Sequence, residues 1–261
     1  VEYGVACDIT AGGPGLPGEI EAAAAAAETA GLASWWAVGD REQIGGGHDA
    51  VLGLQCAARS TGSIRLGLSG DILSIRGPAL RAKQVATLDW FAGGRLEYGL
   101  DLGEVPLALG GASGGDTLGA TSEYLEAMRA LWSQRRASHQ GERIVFSGAI
   151  ALPRPAGGRP GIHMRHGGED VLRLLAREAD GWLGWLLTPA DLPGALAPLA
   201  KAIDDAGRDQ GEVRRTWFVP EWEIGPAREL LADDPSVRVD ELVAVYSELP
   251  SPERLRALAG V

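Results

Sequence analysis

One segment narrows the folds open to this chain more than any other. Residues 63–100, SIRLGLSGDILSIRGPALRAKQVATLDWFAGGRLEYGL, read without a gap as strand, break, helix, glycine turn and second strand. Ile64, Leu66 and Leu68 alternate as strand residues do, and the alternation stops at Ser69-Gly70-Asp71, where a buried strand would stay apolar. Such a break lets a ligand approach backbone. Pro78 suits a first helical turn, and Leu80, Lys83, Gln84, Thr87 and Leu88 keep helical spacing until Gly93-Gly94 ends it. Leu96, Tyr98 and Leu100 then alternate again, completing one βαβ unit.

The same alternation of strand and helix runs from end to end. Strands are expected at 3–7, 34–38, 64–68, 96–100, 161–165, 181–186, 216–221 and 241–246. Helices are expected at 19–30, 49–59, 78–88, 121–132, 169–178, 191–206, 227–231 and 252–258. Eight such pairs predict an α/β fold, a (β/α)8 TIM barrel, as a single domain over 1–261. The first helix has strong propensity but almost no apolar face, and Pro198 should kink or interrupt the sixth. Residues 138–160, with three prolines, are too long for a simple connection and predict a hairpin or extended excursion between strands 4 and 5. A doubly wound open sheet would need a Gly-rich phosphate turn after its first strand, and DITAGGPGLPG after Cys7 lacks the GxGxxG spacing.

Composition excludes several classes. The chain has 261 residues, 45% of them apolar and 23% charged, so it can bury a sizeable core. Its net charge of -11 argues against a nucleic-acid or anionic-membrane surface. Cys7 and Cys56 lie far apart and form no CxxC pair, which fits a reduced, cytoplasmic compartment. No run reaches the length of a membrane span, and the N-terminal residues lack the pattern of a signal peptide.

Polar groups gather just after the strands: Asp8, Asp40 with Arg41, Ser69 with Asp71, Asp101 with Glu104, Arg165 with His166, and Glu221 with Glu223. In a barrel these surround one mouth. His163 and His166 fall on opposite faces of one strand and cannot chelate a single ion without a bulge, so no metal site is expected. HExxH, GxSxG and GxxxxGK[ST] are absent, which removes the common metalloprotease, α/β-hydrolase and P-loop readings. A glycosidase using two mouth carboxylates, for example Asp40 with Glu104, stays open. Gly167-Gly168 opens a helix and aims free amides at an anion such as phosphate, with Arg165 or His166 to add charge. Glu169 complements that helix dipole and would repel the phosphate. Trp182 and Trp185 should face opposite sides of their strand.

Taken together, AETAGLASWWAVGD, the residues 64–100, YLEAMRALW, GGEDVLRLLAREADGWLGW and AGRD resemble the bacterial luciferase-like monooxygenase superfamily, particularly its coenzyme F420-dependent oxidoreductases. The resemblance implies a barrel that binds F420, or else FMN, at the strand C-terminal ends, in a homodimer acting on a small organic substrate. A flavin or F420 reductase is a possible partner. It also implies a non-prolyl cis peptide at Ser69-Gly70 behind the ring, with Asp71 beside it. Gly103-Glu104 matches a pair that sets a carboxylate by the substrate, making Glu104 the expected acid or base, and Asp40 matches an aspartate near the ring. Two departures stand out. Arg41 replaces a common histidine, so it can stabilise negative charge but not exchange a proton near neutral pH. Glu169 follows the glycine pair where relatives carry a small polar or basic residue. A non-catalytic flavin-binding subunit is the alternative these departures suggest.

Overall fold

The computed structural model describes residues 1–9, 13–39, 48–103 and 116–260. Its strands and helices follow in the order β1 (Glu2–Cys7), α1 (Leu16–Thr29), β2 (Ser34–Ala37), α2 (Ala50–Ser60), β3 (Arg65–Asp71), α3 (Pro78–Phe91), β4 (Leu96–Leu100) and α4 (Thr117–Ser133). The chain continues with β5 (Ala137–Gln140), β6 (Val145–Ala149), β7 (Gly161–Arg165), α5 (Glu169–Glu178), β8 (Gly181–Trp185), α6 (Leu192–Asp205), β9 (Arg214–Pro220), α7 (Ile224–Asp233), β10 (Glu241–Tyr246) and α8 (Pro252–Ala259). Eight of the strands close a barrel in the order β1-β2-β3-β4-β7-β8-β9-β10, every neighbouring pair parallel. The fold is the expected (β/α)8 barrel.

Strand alternation divides the core in two. Val5, Trp35, Leu66, Tyr98, Met164, Trp182 and Leu242 point outward and are buried beneath the helices. Ala6, Trp36, Leu183, Phe218 and Val243 point inward and fill the middle of the barrel. Trp185 packs on this inner set and Trp182 on the outer one, as their spacing requires.

Small residues explain two helices. Along α1 the buried positions are Leu16, Ile20, Ala23, Ala24 and Ala27, a stripe at helical spacing that the uniform alanine run conceals. In α6 the helix continues through Pro198 instead of breaking. The carbonyl left without a donor is that of Gly194, on an exposed turn where water can satisfy it.

The excursion between β4 and β7 is a hairpin of β5 with β6, antiparallel, followed by a strap along α3. Lys83 Nζ donates to the Leu152 carbonyl at 2.8 Å, and the Ala156 amide donates to Asp89 Oδ2 at 2.8 Å.

The lower end of the barrel is sealed by charge. Glu241, fully buried, accepts from Ser34 Oγ at 2.5 Å and pairs with Arg65 at 3.1 Å and Arg214 at 3.3 Å. Glu97 lies 2.6 Å from His163 Nε2. Burial opposes ionisation of Glu97, yet the hydrogen bond and charge of His163, with Arg65 and Arg214, hold its pKa below the ordinary carboxylate value. This end is a floor, and ligand access is left to the other end.

Candidate active site

β3 does not stop at Leu68. It runs on to Asp71, and its pairing with β4 jumps from Leu68 opposite Tyr98 to Asp71 opposite Leu100. The sequence break is therefore a bulge, which bends a strand and redirects its side chains. Asp71 is the residue redirected. Its carboxylate, fully buried, accepts from Arg76 Nε at 3.0 Å, Arg81 Nη2 at 3.0 Å and the Tyr98 hydroxyl, all in the layer between strands and helices. This corrects its placement beside a bound ring: Asp71 anchors the bulge from behind. Ser69-Gly70 is not the cis bond that the resemblance implied. Among the described residues the cis peptide falls at Leu152-Pro153, and the bulge supplies the bend at 69–70 instead.

Arg165 reaches inward from β7 across the barrel. Its Nε donates to the Ser69 carbonyl at 2.7 Å and Nη2 to Ser69 Oγ at 3.3 Å, while Nη1 pairs with Asp101 Oδ2 at 3.1 Å. The guanidinium carbon lies 4.0 Å from the centre of the Trp185 ring, a cation–π stack. Arg165 and Asp101 are buried, 5% and 6% exposed. The second oxygen of Asp101 accepts from the Gly103 amide at 2.9 Å, so one carboxylate fixes both Arg165 and the backbone at Gly103, the residue before Glu104. On the neighbouring side, a Cβ added to Gly39 would stand 2.3 Å from the Gly70 carbonyl oxygen. The end of β2 and the bulge of β3 thus meet backbone to backbone, immediately before Asp40 and Arg41. Asp40, Arg41 and Glu104 lie outside the described residues.

Next to the mouth, α5 and α6 part to form a cleft of about 560 Å³ whose lining includes His166, Gly167, Gly168, Arg173, Asp191 and Lys201. Gly168 caps α5 without a side-chain hydrogen bond, which leaves the first-turn amides open to an anion. A Cβ on Gly167 would meet Val171 at 2.9 Å, so this turn packs tightly on its own helix. The sequence reading put Arg165 and His166 together at this helix end, and the structure separates them. Arg165 faces the barrel. His166 faces the cleft, where its Nδ1 accepts from Trp182 Nε1 at 3.3 Å and burial pushes its pKa down, which favours the uncharged ring. Cations come from elsewhere. Arg173 pairs with Glu169 at 3.0 Å and Asp170 at 3.1 Å, offsetting the acidity that counted against phosphate, and Lys201 stands on the facing helix beside Asp205.

Sequence reasoning gathered Ser69, Asp101 and Arg165 at one mouth but missed Trp185 there and missed that Arg165 bridges the other three. The signal was there. Counting alternate residues up β3, β4, β7 and β8 puts 69, 101, 165 and 185 on the inner face at the top. Arg173 and Lys201 were hidden because helical spacing shows a face but not which neighbouring helix it meets.

A family model for luciferase-like monooxygenases matches residues 2–221. The chain belongs to that family. Among its relatives, the 5,10-methylenetetrahydromethanopterin reductase of Methanolobus tindarius is 31% identical over 167 residues, 64% of this chain and 51% of that one. The chain spans about half the length of the curated relatives it matches. Two solved structures share its fold. The coenzyme F420-dependent tetrahydromethanopterin reductase of Methanopyrus kandleri superposes with a TM-score of 0.80 at 18% identity, covering 100% of this chain and 97% of that one. The oxygenating constituent of 3,6-diketocamphane monooxygenase from Pseudomonas putida, in complex with FMN, gives 0.66 at 17% identity over 82% and 66%.

Proposed function

We propose that this luciferase-like barrel is an F420-dependent oxidoreductase that transfers hydride between the deazaflavin and a small organic substrate. The observation that carries the reading is the adjacency of two sites: a mouth floored by backbone at Ser69-Gly70, and an open helix end at Gly167-Gly168. A planar ring joined to a phosphate needs both. The residues present fit such a ligand, because glycines bring backbone close at the mouth and Arg173 and Lys201 flank the cleft. When bound, the deazaflavin supplies the hydride.

The remaining roles belong to the protein. Gly167 and Gly168 amides bind phosphate at the α5 terminus. The Ser69-Gly70 backbone and Arg165 set the plane on which a ring rests. Asp101, through the Gly103 amide, orients the loop that brings Glu104 to the substrate, where Glu104 gives or takes the proton. Asp40 contacts the ring region, and Arg41, always charged, stabilises negative charge without moving a proton. The likeness to an FMN-bound monooxygenase supports a second reading, reduced FMN with the same residues excluding water. Free cysteines at Cys7 and Cys56 support a reducing, cytoplasmic setting. Exposed Leu80, Trp90 and Phe91 on α3 support a homodimer.

Titrations of the purified chain with F420 and with FMN test the reading, followed by turnover of wild type, Glu104→Gln and Arg41→Ala. Tighter binding of F420, with turnover lost in Glu104→Gln and reduced in Arg41→Ala, is expected. Equal rates in all three overturn the catalytic assignments. Tight binding without turnover favours a non-catalytic subunit, and hydrolysis of chromogenic sugars without cofactor binding favours a glycosidase.

A further inference from the structure

Gly70 poses a question that the bulge alone does not answer. Its φ lies outside the left-handed region, and the peptide before it is not cis, so neither backbone reason for a glycine applies. Space does. A Cβ built on Gly70 would lie 2.5 Å from Arg165 Nε and 2.6 Å from its guanidinium carbon. A flexible side-chain tip could swing aside at small cost. This guanidinium is held on three sides, by the Ser69 carbonyl, by Asp101 and by the face of Trp185. Its planar fork allows one arginine to bind all three strands' worth of partners at once, which lysine cannot do.

We propose that Arg165 is the positioning residue of the mouth: it fixes the Ser69-Gly70 bulge on which the ring rests, and position 70 is glycine because Arg165 occupies the space of a side chain there. The ring half of this inference rests on the function proposed above. The pairing of Arg165 with Gly70 rests on geometry alone. Arg165 does no chemistry on the ring in this account. It acts through the Ser69 carbonyl, and so its loss alters the shape of the site as well as the stability of the fold.

The test is a double-mutant cycle of Gly70→Ala and Arg165→Ala in the full chain, read by thermal unfolding and by the Kd for FMN and for F420 per folded molecule. In the wild-type background Gly70→Ala should lower the unfolding midpoint by about 2 to 4 °C and weaken ring binding by about ten-fold. In the Arg165→Ala background the same change should have little effect on either. Arg165→Lys, which keeps charge but not the fork, should fail to restore binding. Where Arg165→Ala does not fold, Arg165→Met takes its place in the cycle. Additive effects of the two substitutions overturn the pairing. An Arg165 variant that is less stable but binds the ring as wild type does overturns the positioning role. A wild type that binds neither ring overturns the proposed function and with it the ring half, while coupling between the two substitutions still decides the pairing.

Discussion

The barrel interior is charged at both ends, and the surroundings of the two sets differ. At the lower end Glu2, Glu97 and Glu241 share Arg65, Arg214 and His163, with Trp36 and Ser34 bonded into the same group. At the upper end Arg165 and Asp101 lie among glycines whose missing side chains let backbone approach backbone, Gly39 against Gly70 and Gly99 against the Leu68 carbonyl, and let the Arg165 side chain lie against Gly70. Buried ion pairs add little to stability over an apolar core, but breaking one leaves a stranded charge. The lower set therefore bears on whether the barrel folds, and the upper set on the shape it presents to a ligand.

The sharpest way to break that contrast is at Glu241. Glu241→Ala leaves Arg65 and Arg214 without their shared, fully buried carboxylate. It should cost about 3 kcal/mol in urea unfolding, with the Kd for F420 per folded molecule unchanged. A large loss of affinity would show that the two ends are not separable. Asp101→Asn is the converse: about a ten-fold weaker Kd for F420, near 1.4 kcal/mol, with a smaller loss of stability than Glu241→Ala. Removing the cleft cations, Arg173→Ala with Lys201→Ala, should weaken FMN only about two- to five-fold because both are exposed and already paired. Riboflavin, which has no phosphate, should bind the double variant and wild type alike.

The smallest effect is the acid limb of stability. Burial opposes ionisation of Glu28, but amides of Ile64, Ser63 and Gly62 and the Ser63 hydroxyl donate to its carboxylate and bring its pKa from 4.5 to about 2. Glu97 is shifted in the same direction. A depressed carboxylate stabilises the fold above its unfolded pKa and loses that contribution as pH falls through its folded one. Stability should decline from about pH 4.5 toward pH 2, and Glu28→Gln should flatten part of that slope in pH-dependent unfolding.

Most strand limits were legible because alternation and glycine turns mark them directly, as at Leu96–Leu100, Gly161–Arg165 and Glu241–Tyr246. Helix starts were less so. α4 begins at Thr117, capped by Asp116 accepting from the Gly119 amide at 2.8 Å, because a cap acts before any apolar face exists. The site was half legible. Among the described residues Ser69, Asp101 and Arg165 do meet at one end of the barrel, but Asp71, expected at the mouth because it follows the strand, is turned outward by the extra residue of the bulge. Arg165 and His166, adjacent in sequence, serve different walls for the same period-2 reason.

A crystal structure of the chain with F420, or failing that FMN, tests the central claim most directly. The ring should lie over Ser69-Gly70 beside Arg165, with its phosphate at the amides of Gly167 and Gly168. A ring held elsewhere on the barrel, or a phosphate remote from α5, would contradict the account.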